Sequence, residues 1–254
     1  MTAPREPAMI LAAHQPGYLP WLGYFHKLAG CDVFVISDQL QFVDDYFQHR
    51  NRMKVADKGA VWLTVPLMKG APEERICDKR IHNDGASGPS RWQRQTWNTL
   101  LMNYGRAPHF GRYREELEDV YQRRWERLVD LDMHLLRLML GWLEIHPTIL
   151  LGSSLDVSGK KTDLILDMCR RLGATTYLSG RGGSTGYLDV PLLEQNGVHV
   201  KWQDFHHPEY PQRFPAMGFI PYLSALDLIL NCGPDSRRIL LGEVAERAVS
   251  VAAG

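Results

Sequence analysis

Several features that would identify a protein class are scarce in this 254-residue sequence. It has only four cysteines, none of them in a Cys-x-x-Cys pair, namely Cys31, Cys77, Cys169 and Cys232. This spacing argues against a structural zinc site and against a disulfide framework. No apolar run approaches the ~20 residues of a membrane-spanning helix, and the segment before Met9 lacks the apolar core of a secretory signal. We therefore expect a cytoplasmic globular protein with no membrane insertion.

An excess of charge of either sign is also lacking. Lysine plus arginine and aspartate plus glutamate both total 29, and the formal net charge is zero. Without a global basic field, sequence-independent DNA binding is not expected, and any anionic ligand must be held by local groups. The adjacent pair His206-His207 lacks the spacing of metal ligands, so no metal site is predicted.

The hydrophobic pattern predicts the fold class. Residues 9–14 and 32–37 are short apolar runs, and the segment 21–30 between them has helical composition, which predicts a parallel β-α-β unit. From residue 90 to 146, apolar residues recur at intervals of three and four, which is typical of helices. We therefore predict an α/β fold with a mostly parallel sheet in one domain, made of an N-terminal half at 1–89, a helical insertion at 90–146 and a C-terminal half at 147–254.

Shorter patterns predict individual elements. Residues 60–66 have the composition of a third strand that ends at a proline, and residues 75–82 could form another near an edge. The charged run 50–54 is typical of a solvated loop. Near the C-terminus, residues 224–230 and 236–251 read as two helices around a turn.

Polar side chains follow the first predicted strand directly. His14, Gln15 and Tyr18 lie where the carboxyl end of a parallel strand opens onto a ligand crevice. A neutral imidazole can accept a proton near pH 7, so His14 is a candidate general base. The alternative is a histidine that only caps the strand. With Asp38, which follows the second strand, these three residues are the predicted catalytic set.

Other polar residues are expected at the same edge of the sheet. An arginine at position 50 could hold a carboxylate or phosphate through two parallel hydrogen bonds. The glycine-rich turn after residue 179 would let main-chain N–H groups approach a ligand closely. The alternatives are that Arg50 lies in a solvated loop, that Ser154 only caps a helix, and that the glycine-rich turn is only flexible. The predicted substrate-binding residues are Arg50, Asn51, Lys54, Ser154, Lys161, Gly180, Gly182, Gly183, Tyr187 and Asp189.

The run from His14 to Phe25 resembles the opening signature His-Gln-Pro-x-Tyr-x-Pro-Trp-Leu-Gly-Tyr-Phe of the WbqC-like protein family. The resemblance continues through Asp38, Gln41, Arg50-Asn51-Arg52 and Trp62–Pro66, then Ser153–Leu155, Gly180–Gly183, Tyr187–Asp189, Tyr210–Gln212 and Leu223–Asp227. The family is associated with bacterial O-antigen and related biosynthetic gene clusters. The resemblance implies a role in such biosynthesis, for which glycine transfer to a sugar has been suggested.

Together with the strand-end residues, this resemblance implies a bacterial biosynthetic transferase that attaches a small acyl or aminoacyl group, such as glycyl, to an amine of a sugar or another small precursor. His14 would take the proton of the attacking amine, and Gln15 with the glycine turn would stabilise the oxyanion. Arg50 and Lys161 would hold an anionic substrate. The activated donor could be a carrier-protein thioester, an aminoacyl-tRNA or an adenylate, and no other cofactor is predicted.

Two other functions remain open from the residues. Trp21-Leu22-Gly23-Tyr24 stands where nucleotidylyltransferases of the HIGH-signature class have His-x-Gly-His, which suggests a distantly similar fold and a nucleotide-dependent adenylyl- or nucleotidyltransferase or ligase. Both signature histidines are replaced, which counts against that activity. The third function is a non-catalytic module that binds a pathway intermediate or a carrier protein, with residues 90–146 as the docking surface.

Overall fold

The computed structural model describes residues 9–85 and 87–243. Along these residues the chain forms strand β1 (Ile10–His14), helix α1 (Leu22–Ala29), strands β2 (Val33–Ile36), β3 (Arg50–Val55) and β4 (Gly59–Thr64), helices α2 (Arg91–Tyr104), α3 (Phe110–Gln122) and α4 (Leu128–Trp142), strand β5 (Thr148–Leu151), helix α5 (Thr162–Leu172), strand β6 (Thr176–Ser179), helix α6 (Val190–Gln195), strand β7 (His199–Trp202), and helices α7 (Ala225–Cys232) and α8 (Ser236–Leu240). None of the described helices is long and apolar enough to cross a membrane.

Five strands form one parallel sheet in the order β5-β2-β1-β6-β7. The chain builds outward from β1 to β2 and β5, then returns to the other side of β1 to add β6 and β7. The connections therefore change direction between β1 and β6, which is the topological switch point where open α/β sheets bind ligands. The predicted α/β class, with a mostly parallel sheet and a helical insertion, is confirmed.

Both faces of the sheet are covered, which is why its inner strands read as continuous apolar runs. All four residues of β2 are buried. Successive side chains of β1 point to opposite faces, so Leu11 joins the core against α5 and α6, whereas Ala12 joins the larger core that contains α1 and the helical insertion. The sheet is thus the middle layer between two sets of helices.

Strands β3 and β4 form a separate antiparallel hairpin. The strand predicted within residues 60–66 is present as β4, but it pairs with β3 and not with the main sheet. The prediction of residues 50–54 as a solvated loop is wrong, because these residues form most of β3. Asn51, Met53 and Lys54 are buried in β3. Two of these three residues are polar, and their hydrogen-bond partners lie in distant parts of the chain. The local composition therefore does not predict a strand.

Two further predictions differ in detail from the structure. Residues 75–82 contain a short 3₁₀ turn at Ile76–Asp78 and isolated β-bridges rather than a strand. Helix α8 ends at Leu240, and Gly242 follows with φ +69°, a conformation that favours glycine. The predicted continuation of this helix beyond residue 243 lies outside the described residues, as do the first eight residues.

Candidate functional site

A crevice opens at the carboxyl ends of β1 and β6, at the switch point of the sheet. It consists of two adjoining pockets. The first, here called the α1 pocket, encloses about 440 Å³ between α1, the turn after β6 and the segment after β7. The second, the α5 pocket, encloses about 490 Å³ between α5 and the loops after β1 and β2. Both volumes suit small-molecule ligands. His14 and Lys27 line both pockets.

His14 ends β1 and is accessible to solvent from the crevice, although protein surrounds its ring closely. Its Nδ1 lies 2.9 Å from the main-chain oxygen of Gln15. Because that oxygen only accepts, Nδ1 carries the proton, and Nε2 of the neutral ring keeps a free lone pair. Tyr24 packs edge-on against the ring at 4.9 Å. Desolvation by the surrounding protein and the nearby Lys27 ammonium lower the pKa of His14 to about 4.

Lys27 is the buried cation among the residues that line the crevice, and only 6% of its surface is exposed. Its Nζ makes one long contact, 3.5 Å to the main-chain oxygen of Ala13. Within residues 9–85 and 87–243, no carboxylate lies within ion-pair distance of it. Burial lowers the pKa of Lys27 to about 8. An ammonium group has three donors, so the remaining hydrogen bonds are available to whatever occupies the crevice.

The helix geometry explains how Lys27 reaches the edge of the sheet. Helix α1 starts near the carboxyl end of β1 and runs back along the sheet, which places Lys27 in its last turn. Side chains of a helix lean toward its N-terminus, so the lysine stem points back toward the crevice while its methylene groups stay buried.

Hydrogen bonds fix the side chain of Gln15. Its Oε1 accepts from Nε2 of Gln48 at 2.8 Å, and Gln48 Oε1 accepts from the main-chain N–H of Val43 at 3.1 Å. The hydroxyl of Tyr24 donates to the main-chain oxygen of Gln15 at 3.2 Å. The first turn after β1 is therefore held from both sides, and Gln15 lines the α5 pocket.

The glycine-rich turn after β6 forms the opposite wall of the α1 pocket. Gly180, Arg181 and Gly182 line it, and a Cβ placed on Gly180 would lie 3.6 Å from Lys27 Nζ. In the part of the chain that the structure describes, no main-chain acceptor is paired with the main-chain N–H groups of these three residues. Gly183 begins a 3₁₀ turn, Gly183–Gly186.

Of the other predicted binding residues, Lys161 and Tyr187 line the α5 pocket. Lys161 immediately precedes α5 and has φ 54°, and Tyr187 is exposed. Asp189 caps α6, because its Oδ1 accepts from the N–H of Leu192 at 3.0 Å. Its own N–H donates to Thr162 Oγ1 at 2.9 Å, which ties α6 to α5.

Three predicted site residues support the crevice from behind. Tyr18 is fully buried, and its hydroxyl lies 2.9 Å from that of Tyr121. Asn51 donates from Nδ2 to the main-chain oxygen of Leu19 at 2.7 Å and holds the β1–α1 loop in place. Asp38 is buried and accepts from the N–H of Ser153 at 2.8 Å and from its Oγ at 2.6 Å. None of the three lines either pocket.

Arg50, Lys54 and Ser154 also lie outside the two pockets. The guanidinium of Arg50 lies 4.7 Å from the ring centroid of Trp62 and 3.6 Å from Asp45. Lys54 is fully buried and donates to the main-chain oxygen of Gly218 at 2.6 Å. Ser154 Oγ donates to the main-chain oxygen of Leu151 at 2.7 Å, so it stabilises the turn after β5.

The sequence reasoning missed Lys27, Arg181 and Gln203, all of which line the α1 pocket. Gln203 directly follows β7 and donates from Nε2 to the main-chain oxygen of Gly23 at 2.8 Å. A usable signal existed for Lys27, since it is the one lysine in α1 and follows Tyr24 by three residues on the same face. A cation on the sheet-facing side of a crossover helix is unusual.

The histidines after β7 show no metal-binding arrangement. His206 lies 3.4 Å from Asp204, and both side chains are exposed. His207 Nδ1 lies 2.9 Å from the main-chain oxygen of Pro208, and its Nε2 accepts from the N–H of Tyr222 at 3.1 Å. Across the described residues, no group of three or more His, Cys, Asp and Glu side chains is placed to hold a metal ion.

Comparisons with known proteins place the chain in a family. It is 30% identical over 229 residues to the uncharacterized protein Rv1507c of Mycobacterium tuberculosis, an alignment that covers 89% of this chain and 95% of that protein. No solved structure matches the chain significantly. The profile of the WbqC-like protein family matches residues 15–239, which include Gln15, Lys27 and the glycine-rich turn. The chain therefore belongs to the WbqC-like protein family.

Proposed function

We propose that the protein is a biosynthetic transferase that moves a small acyl or aminoacyl group, glycyl among them, from an activated donor to an amine of a sugar or another small precursor. The observation that carries this proposal is the convergence of His14 and Lys27 where the α1 and α5 pockets meet. A reaction between two substrates requires adjoining spaces with catalytic groups between them. The association of the family with biosynthetic gene clusters is the second support.

In the proposed reaction, the amine nitrogen attacks the acyl carbon and forms the new C–N bond. The bond from that carbon to the leaving sulfur or oxygen of the donor then breaks, and its electron pair stays with the leaving atom. His14 Nε2 accepts the proton that the amine loses and returns it to the leaving atom or to solvent. Gln15, which lines the α5 pocket, stabilises the negative charge that develops on the carbonyl oxygen, while the Lys27 ammonium holds the negative charge of the donor.

The electrostatics of the crevice favour an anionic donor. Lys27 lowers the pKa of His14, and a ring with a pKa of about 4 is a weak base. A negative charge bound beside Lys27 would favour the imidazolium form and raise the pKa of His14 toward the working pH. His14 would thus become a better base when the donor is bound.

The test is formation of an amide. The protein is incubated with mixed amino sugars and with glycyl adenylate, glycyl pantetheine thioester or glycyl-tRNA, and the N-glycyl product is detected by mass spectrometry. We expect product from one donor class and a rate about 10²- to 10⁴-fold lower in His14→Gln. His82→Gln, at an exposed histidine outside both pockets, is the matched control and keeps the rate. Full activity in His14→Gln, or no amide from any donor, would reject the proposal.

A nucleotide-dependent adenylyl- or nucleotidyltransferase is the second candidate. It is favoured by the position of the crevice at the switch point between β1 and β6, where nucleotides bind in doubly wound sheets. Trp21 and Tyr24, which stand at the positions of the signature histidines, both line the α1 pocket. Release of pyrophosphate or AMP from ATP in the presence of the precursors would favour this activity. Ligand binding without any product would favour a non-catalytic binding module.

A further inference from the structure

We infer that the α1 pocket is a phosphate-binding site in which Lys27, Arg181 and the main-chain N–H groups of the Gly180–Gly182 turn hold the phosphate of a phosphate-ester donor. Such a donor would be an adenylate or a phosphopantetheine thioester. The inference relies on the proposed function for the identity of this ligand as the acyl donor.

The burial of the Lys27 ammonium group favours an anionic ligand. Transfer of an ammonium group out of water is costly unless it is paired and hydrogen-bonded. Lys27 is 6% exposed, yet its Nζ has one long contact to a main-chain oxygen and no carboxylate partner among the described residues. A ligand oxygen with full negative charge would provide the missing compensation. Its position beside Gly180 directs that oxygen into the α1 pocket rather than toward the core.

The glycine-rich wall that faces Lys27 also favours an anionic ligand. The turn Gly180–Gly182 lines the pocket, and its main-chain N–H groups have no main-chain acceptor in the described part of the chain. Successive unpaired N–H groups in a glycine-rich turn form a concave site for anions. Glycine matters at position 180, because a Cβ there would lie 3.6 Å from Lys27 Nζ and a longer side chain would narrow the space between the turn and Lys27.

The balance of charge in the pocket supports an anion. Lys27 and Arg181 are the cationic side chains that line it, and Asp204 is its acidic residue. The Asp204 carboxylate is mostly exposed and lies 3.4 Å from His206. An exposed carboxylate is screened by water, whereas the buried Lys27 is screened much less. Trp21 and Phe205, in edge-to-face contact at 5.4 Å, supply an apolar surface for the remainder of the ester.

Calorimetric titration with matched pairs of probes tests the site. AMP is compared with adenosine, 4′-phosphopantetheine with pantetheine, and inorganic phosphate is titrated alone. In the wild-type protein we expect at least one phosphorylated probe to bind about tenfold tighter than its unphosphorylated partner, or more. The pair that shows this preference identifies which kind of phosphate ester the pocket takes. Equal dissociation constants within both pairs, or no binding of any probe, would overturn the inference.

Variants locate the phosphate. Lys27→Met, which keeps the length of the side chain but not its charge, should abolish the preference for the phosphorylated probe. Lys58→Met, at an exposed lysine between β3 and β4, is the matched control and should keep it. An undiminished preference in Lys27→Met would overturn the inference.

If Lys27→Met does not fold, Arg181→Gln replaces it, because Arg181 is exposed and contributes little to the core. We expect Arg181→Gln to reduce the preference by a smaller factor, and an unchanged preference there would likewise count against the site.

The outcome can be separated from that of the proposed transfer. His14→Gln should retain the phosphate preference while losing transfer. A phosphate preference in a wild-type protein that forms no amide would reject the transfer function and leave the phosphate site standing. Equal dissociation constants for the phosphorylated and unphosphorylated probes, in a protein that forms the amide, would reject the phosphate site and leave the transfer function standing.

Discussion

At the scale of single residues, the main feature of the crevice is a neutral histidine beside a buried lysine. His14 and Lys27 lie on consecutive elements, and Lys27 disfavours the charged form of His14. Such mutual influence between titratable groups is common in active sites, where it sets which group is the acid and which the base. It also makes the pair open to a direct measurement.

Removal of the lysine charge should change the titration of the histidine. In Lys27→Met we expect the pKa of His14 to rise from about 4 but to stay below its usual value of 6.5, since burial, the larger cause of the shift, remains. The measurement is an NMR pH titration, with the His14 signal assigned by its absence in His14→Gln. Lys58→Met is the control, in which the pKa should not move. An unchanged pKa in Lys27→Met would show that the two groups do not interact.

Sequence reasoning found the crevice only in part, and the reason is visible residue by residue. His14, Gln15, Gly180 and Gly182 line it because they follow strands directly, and strand ends are predictable from apolar runs. Lys54 has the same polar character but is fully buried against Gly218. The direction of a polar side chain depends on partners far away in sequence, which composition does not reveal.

At the scale of elements, Asp38 joins the end of β2 to the turn after β5. Its carboxylate accepts two hydrogen bonds from Ser153, one from the main chain and one from the hydroxyl. Hydrogen bonds to a charged group contribute more to stability than neutral ones. This contact closes the edge of the sheet next to the α5 pocket without lining it.

We therefore expect Asp38→Ala to lower the free energy of unfolding by about 2–3 kcal/mol, because it removes two hydrogen bonds that a buried carboxylate accepts. Ser153→Ala removes one bond and should cost about 1–2 kcal/mol. The double variant should cost less than the sum of the two, since the residues share one interaction. Denaturant unfolding of the four proteins measures this cycle. A variant at Asp38 with normal stability but no ligand binding would instead support the predicted catalytic role.

The composition of the β3–β4 hairpin explains why the sequence predicts a loop at β3. Charged and polar residues dominate β3, and its buried positions include Asn51 and Lys54. Asn51 donates to main-chain oxygens of the β1–α1 loop, so a strand forms where the local pattern indicates a loop. By contrast, strands with continuous apolar runs, such as β2, were predicted within two residues of their ends because burial on both faces demands that composition.

At the scale of the whole molecule, one buried carboxyl should make stability depend on pH. Asp132 in α4 is 1% exposed, and neither of its oxygens has a hydrogen-bond partner among the described residues. Desolvation raises the pKa of Asp132 well above its usual value of 3.8. Ionisation of this group therefore favours the unfolded state, and its contribution to folding stability is lost as the pH rises above 3.8.

The isosteric variant Asp132→Asn removes that ionisation. At pH 7 we expect it to raise the free energy of unfolding by about 1 kcal/mol or more, because a shift of one pKa unit corresponds to about 1.4 kcal/mol. The gain should shrink as the pH falls toward 3.8 and should vanish below that value, where Asp132 is protonated in both states. Denaturant unfolding at several pH values measures it. Asp130→Asn, at an exposed position of the same helix, should show no such trend, and a gain independent of pH in Asp132→Asn would contradict this explanation.

The order of the strands has a consequence for how the protein is made. His14 lies near the start of the chain, whereas the Gly180–Gly182 turn and Gln203 arrive in its last third. A nascent chain that has emerged as far as Leu151 can pair β5, β2 and β1, but it has only one wall of the crevice. Binding competence thus appears only after Gln203 has been synthesised. A ligand that bridges both walls should also slow hydrogen exchange in β6 and β7, because these strands can separate from the sheet only by releasing it.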